Sequence, residues 1–171
     1  MANIFPAGPR DNEGSVSWSV VSGAATLSNS TDHAVTGTQA LKAVCSNTSP
    51  IAVAIAYANR ITCLASTSYT TTMHIRSSAS RWCSAAIDWY TSGGTYISTD
   101  VLDGSANTTT GSWQTRVDVG TSPGTAGSFT LKFDFDNNTT STNFYVDNIT
   151  VDDGVSATTV GISPFIMMGL T

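Results

Sequence analysis

Asp147 is the residue of this sequence whose position most clearly demands a chemical partner. It lies in a closing strand-like segment, residues 143–152, and successive side chains of a strand point to opposite faces. That alternation predicts Tyr145, Asp147, Ile149 and Val151 on one largely apolar side. A carboxylate in an apolar layer is costly unless a cation or several hydrogen-bond donors satisfy it. The sequence therefore predicts either an ion at Asp147 or a set of backbone or tryptophan N–H groups that donate to it.

A second group of residues has the chemistry of sugar recognition, which needs an aromatic platform ringed by polar groups. Trp82, Asp88 and Tyr90 are separated by even numbers of residues, and in a strand this predicts one shared face. His74 and Arg76 share a face of the preceding strand-like segment, and we expect them to lie beside the first three. The alternative is that the aromatic side chains only cover the sheet and the charged ones solvate it.

Catalytic chemistry has little support in the sequence. His33 and His74 are the only histidines, and neither context indicates a neighbouring nucleophile. Glu13 is the only glutamate, and a pair such as Asp134 and Asp136 is also common in proteins that are not enzymes. The sequence has no phosphate-loop or dinucleotide fingerprint. We therefore predict that the protein is not an enzyme.

The composition narrows the class of protein further. The 171 residues are 40% hydrophobic and only 11% charged, and the net charge is −5. The basic residues form no stripe, which disfavours nucleic-acid binding. No apolar run reaches the roughly 20 residues of a membrane span, and the first residues lack the regions of a secretion signal. Cys45, Cys63 and Cys83 have no zinc-site spacing and are expected to be buried free thiols, with one disulfide and one free thiol as the alternative.

These residues must be positioned by strands, because β-branched residues and period-two alternation dominate the chain and turn residues recur at short intervals. Eleven strands are predicted at residues 15–20, 25–27, 40–45, 51–56, 61–64, 69–76, 82–90, 95–101, 112–119, 128–136 and 143–151. This number and spacing favour an all-β domain built as a two-sheet antiparallel sandwich or a barrel. Trp18, Trp89 and Trp113 are expected in its core.

The order of several motifs resembles one known family. After Trp18 come GTQALKA at residues 37–43, SYTTTMHIR at 68–76, IDWYTSGG at 87–94, Trp113, and FYVDNITV at 144–151. Together they resemble the jelly-roll carbohydrate-binding modules attached to xylanases and other glycanases. Similar domains occur in tail and other surface proteins of bacteriophages. The match spans about residues 3–153.

The resemblance implies a β-sandwich jelly roll of two antiparallel sheets over residues 1–153. In many such modules a structural calcium ion lies at the rim of the sandwich. Asp147 matches the aspartate that binds it, and Asp11 and Glu13, with Asp32, are candidates for further acidic ligands. Hard oxygen ligands suit calcium, which would satisfy the Asp147 carboxylate.

Residues 154–171 lie outside the resemblance and form a C-terminal extension. Its second half is apolar and has no strand or helix period. We expect it to be a docking arm that contacts other virion proteins or further copies of the chain; packing back on its own sandwich is the alternative. The expected docking residues are Ile162, Phe165, Ile166, Met167, Met168 and Leu170.

Two functions follow as hypotheses. The first is a bacteriophage virion surface protein, either a minor tail protein or a capsid decoration protein, that displays the jelly roll to cell-surface glycans or stabilises the particle. It fits the apolar extension and the absence of an attached catalytic domain. The alternative is an extracellular, stand-alone glycan-binding module of a secreted glycanase system, for which a linker rich in Pro, Ser and Thr is expected.

Overall fold

The computed structural model describes residues 3–45, 53–108, 111–135 and 142–154. These residues form two antiparallel sheets, so the predicted all-β sandwich is confirmed. A single helical turn, α1 (Ala7–Asp11), was not predicted. The proposed docking arm, apart from Gly154, lies outside the described residues. Among the residues described, no helix is long and apolar enough to cross a membrane.

Eleven strands follow α1 in the described chain, close to the positions predicted from the sequence. They are β1 (Trp18–Ser22), β2 (Ala25–Ser30), β3 (Ala40–Cys45), β4 (Val53–Tyr57), β5 (Ile61–Thr62), β6 (Ser68–Ser77), β7 (Arg81–Tyr90), β8 (Tyr96–Thr108), β9 (Gln114–Thr121), β10 (Ser128–Phe135) and β11 (Asn143–Asp152).

The strands divide into two sheets that pack face to face. Sheet I has the order β1-β4-β10-β7-β8, with β5 also paired to β10. Sheet II has the order β2-β3-β11-β6-β9. The consecutive strands β6 and β7 therefore belong to different sheets, and so do β10 and β11. These crossings separate residues that are close in sequence.

The core between the sheets is largely aromatic and aliphatic. Phe129, Leu131, Phe133 and Phe135 of β10 have no exposed surface, as the alternation of that strand predicted. Phe135 stacks on Phe144 of the opposite sheet, with ring centroids 4.3 Å apart. Each such side chain contributes about 1.5–3 kcal/mol on burial, so this interface holds the two sheets together.

The predicted tryptophan and cysteine positions are mostly confirmed. Trp18 and Trp89 are buried in the core, whereas Trp113 is only half-buried at the start of β9. The three cysteines, Cys45, Cys63 and Cys83, are buried free thiols. Burial raises the pKa of the Cys45 thiol to about 11, so this group stays protonated near neutral pH.

The two ends of the described domain lie side by side on sheet II. Asn3 forms an antiparallel bridge with Asp152 at the end of β11. The backbone N–H of Ile4 donates to the carbonyl of Val151 at 2.8 Å, and the N–H of Val151 donates to Asn3 Oδ1 at 2.9 Å. The first described residues therefore hold the end of β11 in place.

A β-bulge in β11 changes the face on which Asp147 lies. The register against β6 shifts between Asp147 and Thr150, and Asn148 has a left-handed backbone with a φ of 47°. A bulge inserts one extra residue, so the alternation of side chains reverses across it. Val146 before the bulge and Ile149 after it both point into the core.

The prediction that Asp147 shares the inner face with Ile149 and Val151 is therefore wrong. Asp147 pairs with His74 across the ladder, and Tyr145 pairs with Arg76, on the outer face of sheet II. Asp147 still has no exposed surface. It is buried by the segment that contains Val35 and Thr36, which lies over this face, and not by the core between the sheets.

Replacing Asn148 with valine is expected to lower the free energy of unfolding by about 1–2 kcal/mol, because a β-branched residue is strained in the left-handed region. Asn148→Gly is the matched control and should change it by less than about 0.5 kcal/mol. Urea denaturation measures both. Equal stability of the two variants would contradict the bulge.

Candidate functional site

The outer face of sheet I carries three of the predicted site residues. Trp82, Asp88 and Tyr90 of β7 are half-buried, whereas Ile87 and Trp89 between them lie in the core. The three residues therefore share the outer face, as their spacing predicted. Across the ladder, Thr130 of β10 lies opposite Asp88.

Tyr90 is the centre of a packed group on this face. The guanidinium carbon of Arg60 lies 4.2 Å from the centroid of the Tyr90 ring. Tyr96 of β8 meets the same ring edge-on, with centroids 5.9 Å apart, and is 54% exposed. Burial raises the pKa of the Tyr90 hydroxyl, and the nearby Asp88 carboxylate raises it further. The hydroxyl is therefore neutral and available for hydrogen bonding near neutral pH.

A pocket of about 230 Å³ opens beside this group, at the end of sheet I where β1, β4 and β10 meet. Its walls combine apolar surface, hydroxyl groups and one cation, contributed by Ser19, Val21, Ala56, Arg60, Tyr90 and Thr130. The Thr130 hydroxyl donates to the carbonyl of Tyr57 at 2.8 Å, which leaves its oxygen free to accept. This mixture suits a small polar ligand with apolar C–H surface.

Asp88 is fixed by neighbours on β8. The hydroxyl of Thr99, its partner across the ladder, donates to Asp88 Oδ1. The hydroxyls of Thr99 and Tyr96 are 2.9 Å apart. The carboxylate is thus held beside the exposed Tyr96 ring, with its second oxygen free to accept from a ligand.

His74 and Arg76 do not lie beside these residues, and the prediction that they form one patch is wrong. Both lie on β6, which pairs with β11 and β9 in sheet II, whereas β7 lies in sheet I. The outer faces of the two sheets point away from each other. The chain crosses between the sheets after β6, and the spacing of residues along one strand does not show such a crossing.

A loop of residues 31–39 lies over part of the outer face of sheet II, and we call it the covering loop. Asp32 forms an ion pair with Lys42 at 2.6 Å, and the ring of His33 meets Tyr145 edge-on at 4.9 Å. Burial lowers the pKa of His33, and the positive charge of Arg76 lowers it further. The histidine is therefore neutral near neutral pH and packs as an aromatic group.

Asp147 anchors the covering loop to the sheet. Its Oδ2 atom accepts the backbone N–H groups of Val35 at 2.7 Å and of Thr36 at 3.0 Å. This is the arrangement of backbone donors that the sequence left open as an alternative to an ion. It uses only one of the two carboxylate oxygens.

Glu13 holds the next part of the loop. Its Oε1 atom accepts the backbone N–H groups of Thr38 at 2.5 Å and of Gln39 at 2.9 Å. The hydrogen bond from Thr38 is the main reason that the pKa of Glu13 is lowered. Asp11 instead pairs with Arg10 at 2.7 Å.

The structure does not bring Asp147, Asp11 and Glu13 into one metal-binding cluster. No group of three or more acidic, histidine or cysteine side chains that could hold a metal ion occurs within residues 3–45, 53–108, 111–135 and 142–154. Asp11 and Glu13 instead line a separate polar pocket of about 360 Å³ with Thr36 and Asn148. The acidic ligand set is thus not supported as predicted.

Two oxygens in this region are buried without a hydrogen-bond partner. Asp147 Oδ1 and Asn12 Oδ1 have no hydrogen-bond partner, although Asp147 is fully buried and Asn12 is 2% exposed. The Asn12 amide nitrogen donates at 3.0 Å to the carbonyl of Val146, which precedes Asp147. Both side chains therefore pack on the same stretch of β11. Carboxylate and carboxamide oxygens are ligands that calcium accepts.

Arg60, Tyr96 and Asn12 were not identified from the sequence. Arg60 follows β4 in a bend, and only the fold brings it to Tyr90, which is thirty positions later in the chain. Tyr96 follows the turn after β7, where a hairpin with alternating faces would have placed it near Tyr90. Asn12 has a left-handed backbone at the end of α1, a short helix that no sequence pattern indicated.

The comparison with solved structures shows the fold. A xylan-binding CBM22-1 domain from Paenibacillus barcinonensis superposes with a TM-score of 0.62 at 12% identity, covering 85% of this chain and 91% of that one. A structure titled Family 16 Carbohydrate Binding Module-2 gives a TM-score of 0.58 at 20% identity and covers 88% and 99%. The predicted likeness to jelly-roll carbohydrate-binding modules is therefore confirmed.

Larger proteins contain the same fold as one part. The CBM22-1–GH10 modules of Clostridium thermocellum endo-1,4-beta-D-xylanase 10B, complexed with xylohexaose, match with a TM-score of 0.63 at 12% identity. Tailspike protein 4 of bacteriophage CBA120 matches in its enzymatically active domain with a TM-score of 0.66 at 13% identity. The chain spans 26% of the first structure and 21% of the second. No family model matches the sequence, and a search of curated proteins found no match.

Proposed function

We propose that this carbohydrate-binding-module-like jelly roll is a glycan-binding protein whose binding face is the outer face of sheet I. The observation that carries the proposal is the pocket beside Tyr90. Thr130 lines this pocket, and the exposed ring of Tyr96 and the fixed carboxylate of Asp88 lie beside Tyr90 on the same face. Sugars present apolar C–H faces and a rim of hydroxyls, and this face offers partners for both.

The comparisons support this proposal at the level of fold. Two of the similar structures are named for xylan binding or were solved with xylohexaose. Similar domains that stand alone are binding modules, which supports a role without catalysis for this chain. We therefore take a soluble β-1,4-xylan fragment as the first probe, together with a panel of other polysaccharides.

We further propose that the domain is displayed on a virion surface. The similarity to part of a bacteriophage tailspike supports this setting, and the apolar residues 160–170 supply a candidate attachment to a larger assembly. An extracellular module of a secreted glycanase system is the second candidate, supported by the similarity to xylanase modules. Either setting uses the same binding face.

Calcium is proposed as a structural ion held by Asp147 Oδ1 and Asn12 Oδ1, in place of the predicted set with Asp11 and Glu13. The support is that both oxygens are buried without a partner on the same stretch of β11. A bound ion would neutralise the Asp147 carboxylate and so strengthen the attachment of the covering loop.

The binding face is tested by the double variant Trp82→Ala, Tyr96→Ala. We expect it to bind xylohexaose, or the best ligand of the panel, at least about ten-fold more weakly, because two aromatic contacts are lost. Isothermal titration calorimetry measures the affinity. His74→Gln is the control on sheet II and should bind like the parent protein; an undiminished double variant would rule this face out.

Calcium is tested by thermal unfolding in EDTA and in excess calcium chloride. At a calcium concentration well above the Kd, binding to the folded state should raise the Tm by about 5 °C or more. Asp147→Asn should lose this response while keeping the covering loop, because its amide oxygen still accepts the N–H groups of Val35 and Thr36. A parent protein whose Tm is the same in both solutions would contradict the ion.

The attachment role is tested in the full chain by Phe165→Asp with Ile166→Asp. These charges should abolish self-association or binding to particles, because a carboxylate is costly in an apolar interface. Light scattering after size exclusion measures assembly, and co-sedimentation measures particle binding. Thr158→Asp with Thr159→Asp is the control. The docking arm would be contradicted if the parent chain, like the variant, is monomeric and does not sediment with virus particles.

A further inference from the structure

The exposed side chain of Arg60 lies at the wall of the pocket in sheet I and packs against an aromatic ring and a glycine turn. Its guanidinium lies over the ring of Tyr90, with 4.2 Å between the guanidinium carbon and the ring centroid. Gly94, in the turn between β7 and β8, leaves the space that Nη1 occupies, and a β-carbon there would clash with it. Gly94 has a φ of 87°, which favours glycine at this position. The turn and the ring together orient the guanidinium.

Arg60 also lacks a carboxylate partner. Within the described parts of the chain it forms no ion pair, whereas Arg10, Lys42 and Lys132 each pair with an aspartate. The other residues that line the pocket carry no ionisable carboxylate. Asp88 is on the same face and keeps its negative charge, but it does not line the pocket and forms no ion pair with Arg60 in the described parts of the chain. The pocket therefore presents one oriented, unneutralised cation.

We propose that this pocket selects an acidic sugar and that Arg60 binds its carboxylate. The inference rests on the proposed glycan binding and names the class of ligand. A guanidinium stacked on an aromatic ring keeps its N–H edge available and can donate two parallel hydrogen bonds to one carboxylate. The hydroxyls of Ser19 and Thr130, which also line the pocket, would meet sugar hydroxyls. The ligand is thus a glycan containing a uronic acid.

The unpaired charge of Arg60 favours a uronate over a neutral sugar. A neutral sugar would leave the guanidinium beside the ligand without a charged partner, and a uronate would supply one. A charge-assisted hydrogen bond contributes more than a neutral one. The aromatic ring of Tyr90 cannot offer both faces to a sugar, because Arg60 covers one of them. Stacking beside this pocket is therefore left to the exposed ring of Tyr96, and Arg60 determines which sugar is bound.

The test compares glucuronoxylan with the same polymer after chemical reduction of its carboxyl groups. Both share one backbone, so the ratio of their affinities isolates the carboxylate. We expect the acidic form to bind about ten-fold more tightly to the parent protein, measured by calorimetry and affinity electrophoresis. Arg60→Gln should bring the ratio within about two-fold of one, and Arg60→Lys should restore it only in part, because lysine lacks the planar fork.

Two further variants control the experiment. Arg10→Gln removes the same charge at the Asp11 ion pair and should keep the full preference. Gly94→Ala should reduce the preference by displacing the guanidinium, provided that its Tm shows a folded protein. Equal affinity for the two polymers, or an unchanged ratio in Arg60→Gln, overturns the acidic-sugar inference and leaves glycan binding intact. Binding to neither polymer nor to any member of the panel overturns both.

Discussion

The attachment of the covering loop to Asp147 determines how the two outer faces of this sandwich differ. One carboxylate oxygen accepts two backbone N–H groups of the loop, and Glu13 accepts two more a few residues later. These four hydrogen bonds hold the loop against sheet II and bury the side chains beneath it. The two hydrogen bonds to Asp147 are partly shielded from solvent, so the loop and this buried carboxylate depend on each other more than the loop and the exposed Glu13 do. In the described part of the chain, no such loop covers Tyr96 on sheet I, and the outer face of that sheet has a pocket beside aromatic rings.

This asymmetry explains why similar residue types have different roles on the two sheets. Tyr145 and Tyr90 are both tyrosines on an outer face beside a cation, Lys42 in one case and Arg60 in the other. Lys42 is neutralised by Asp32 from the covering loop. Arg60 is not neutralised in this way, and its charge faces a pocket. The difference lies in the neighbouring loop rather than in the strand sequences.

Much of the fold could be predicted because its signals are local. The alternation of Phe129, Leu131, Phe133 and Phe135 identifies a strand with one core face, and the structure has that strand. The face on which Asp147 lies could not be predicted, because the bulge at Asn148 reverses the alternation of side chains. Asparagine tolerates the left-handed backbone of this bulge, but its presence does not require a bulge. The sheet to which β6 and β7 belong is a property of topology, so the spacing of His74 and Trp82 could not show their separation.

Only the site residues that belong to a single strand, β7, could be placed together from the sequence. Trp82, Asp88 and Tyr90 share a face because strand geometry requires it. Arg60 reaches the same face from a bend after another strand, and only the assembled sheet joins the two. The sequence shows the residues that a strand supplies, while the oriented cation depends on the glycine turn and on packing.

The pairing of Asn3 with Asp152 has a consequence for how such a domain is mounted. Entry and exit of the described chain lie together on sheet II, so a single point of attachment is enough to carry the whole sandwich. The open face belongs to the other sheet and is directed away from that point. A domain built in this way leaves the outer face of sheet I clear of both described ends, because Asn3 and Asp152 are paired on sheet II.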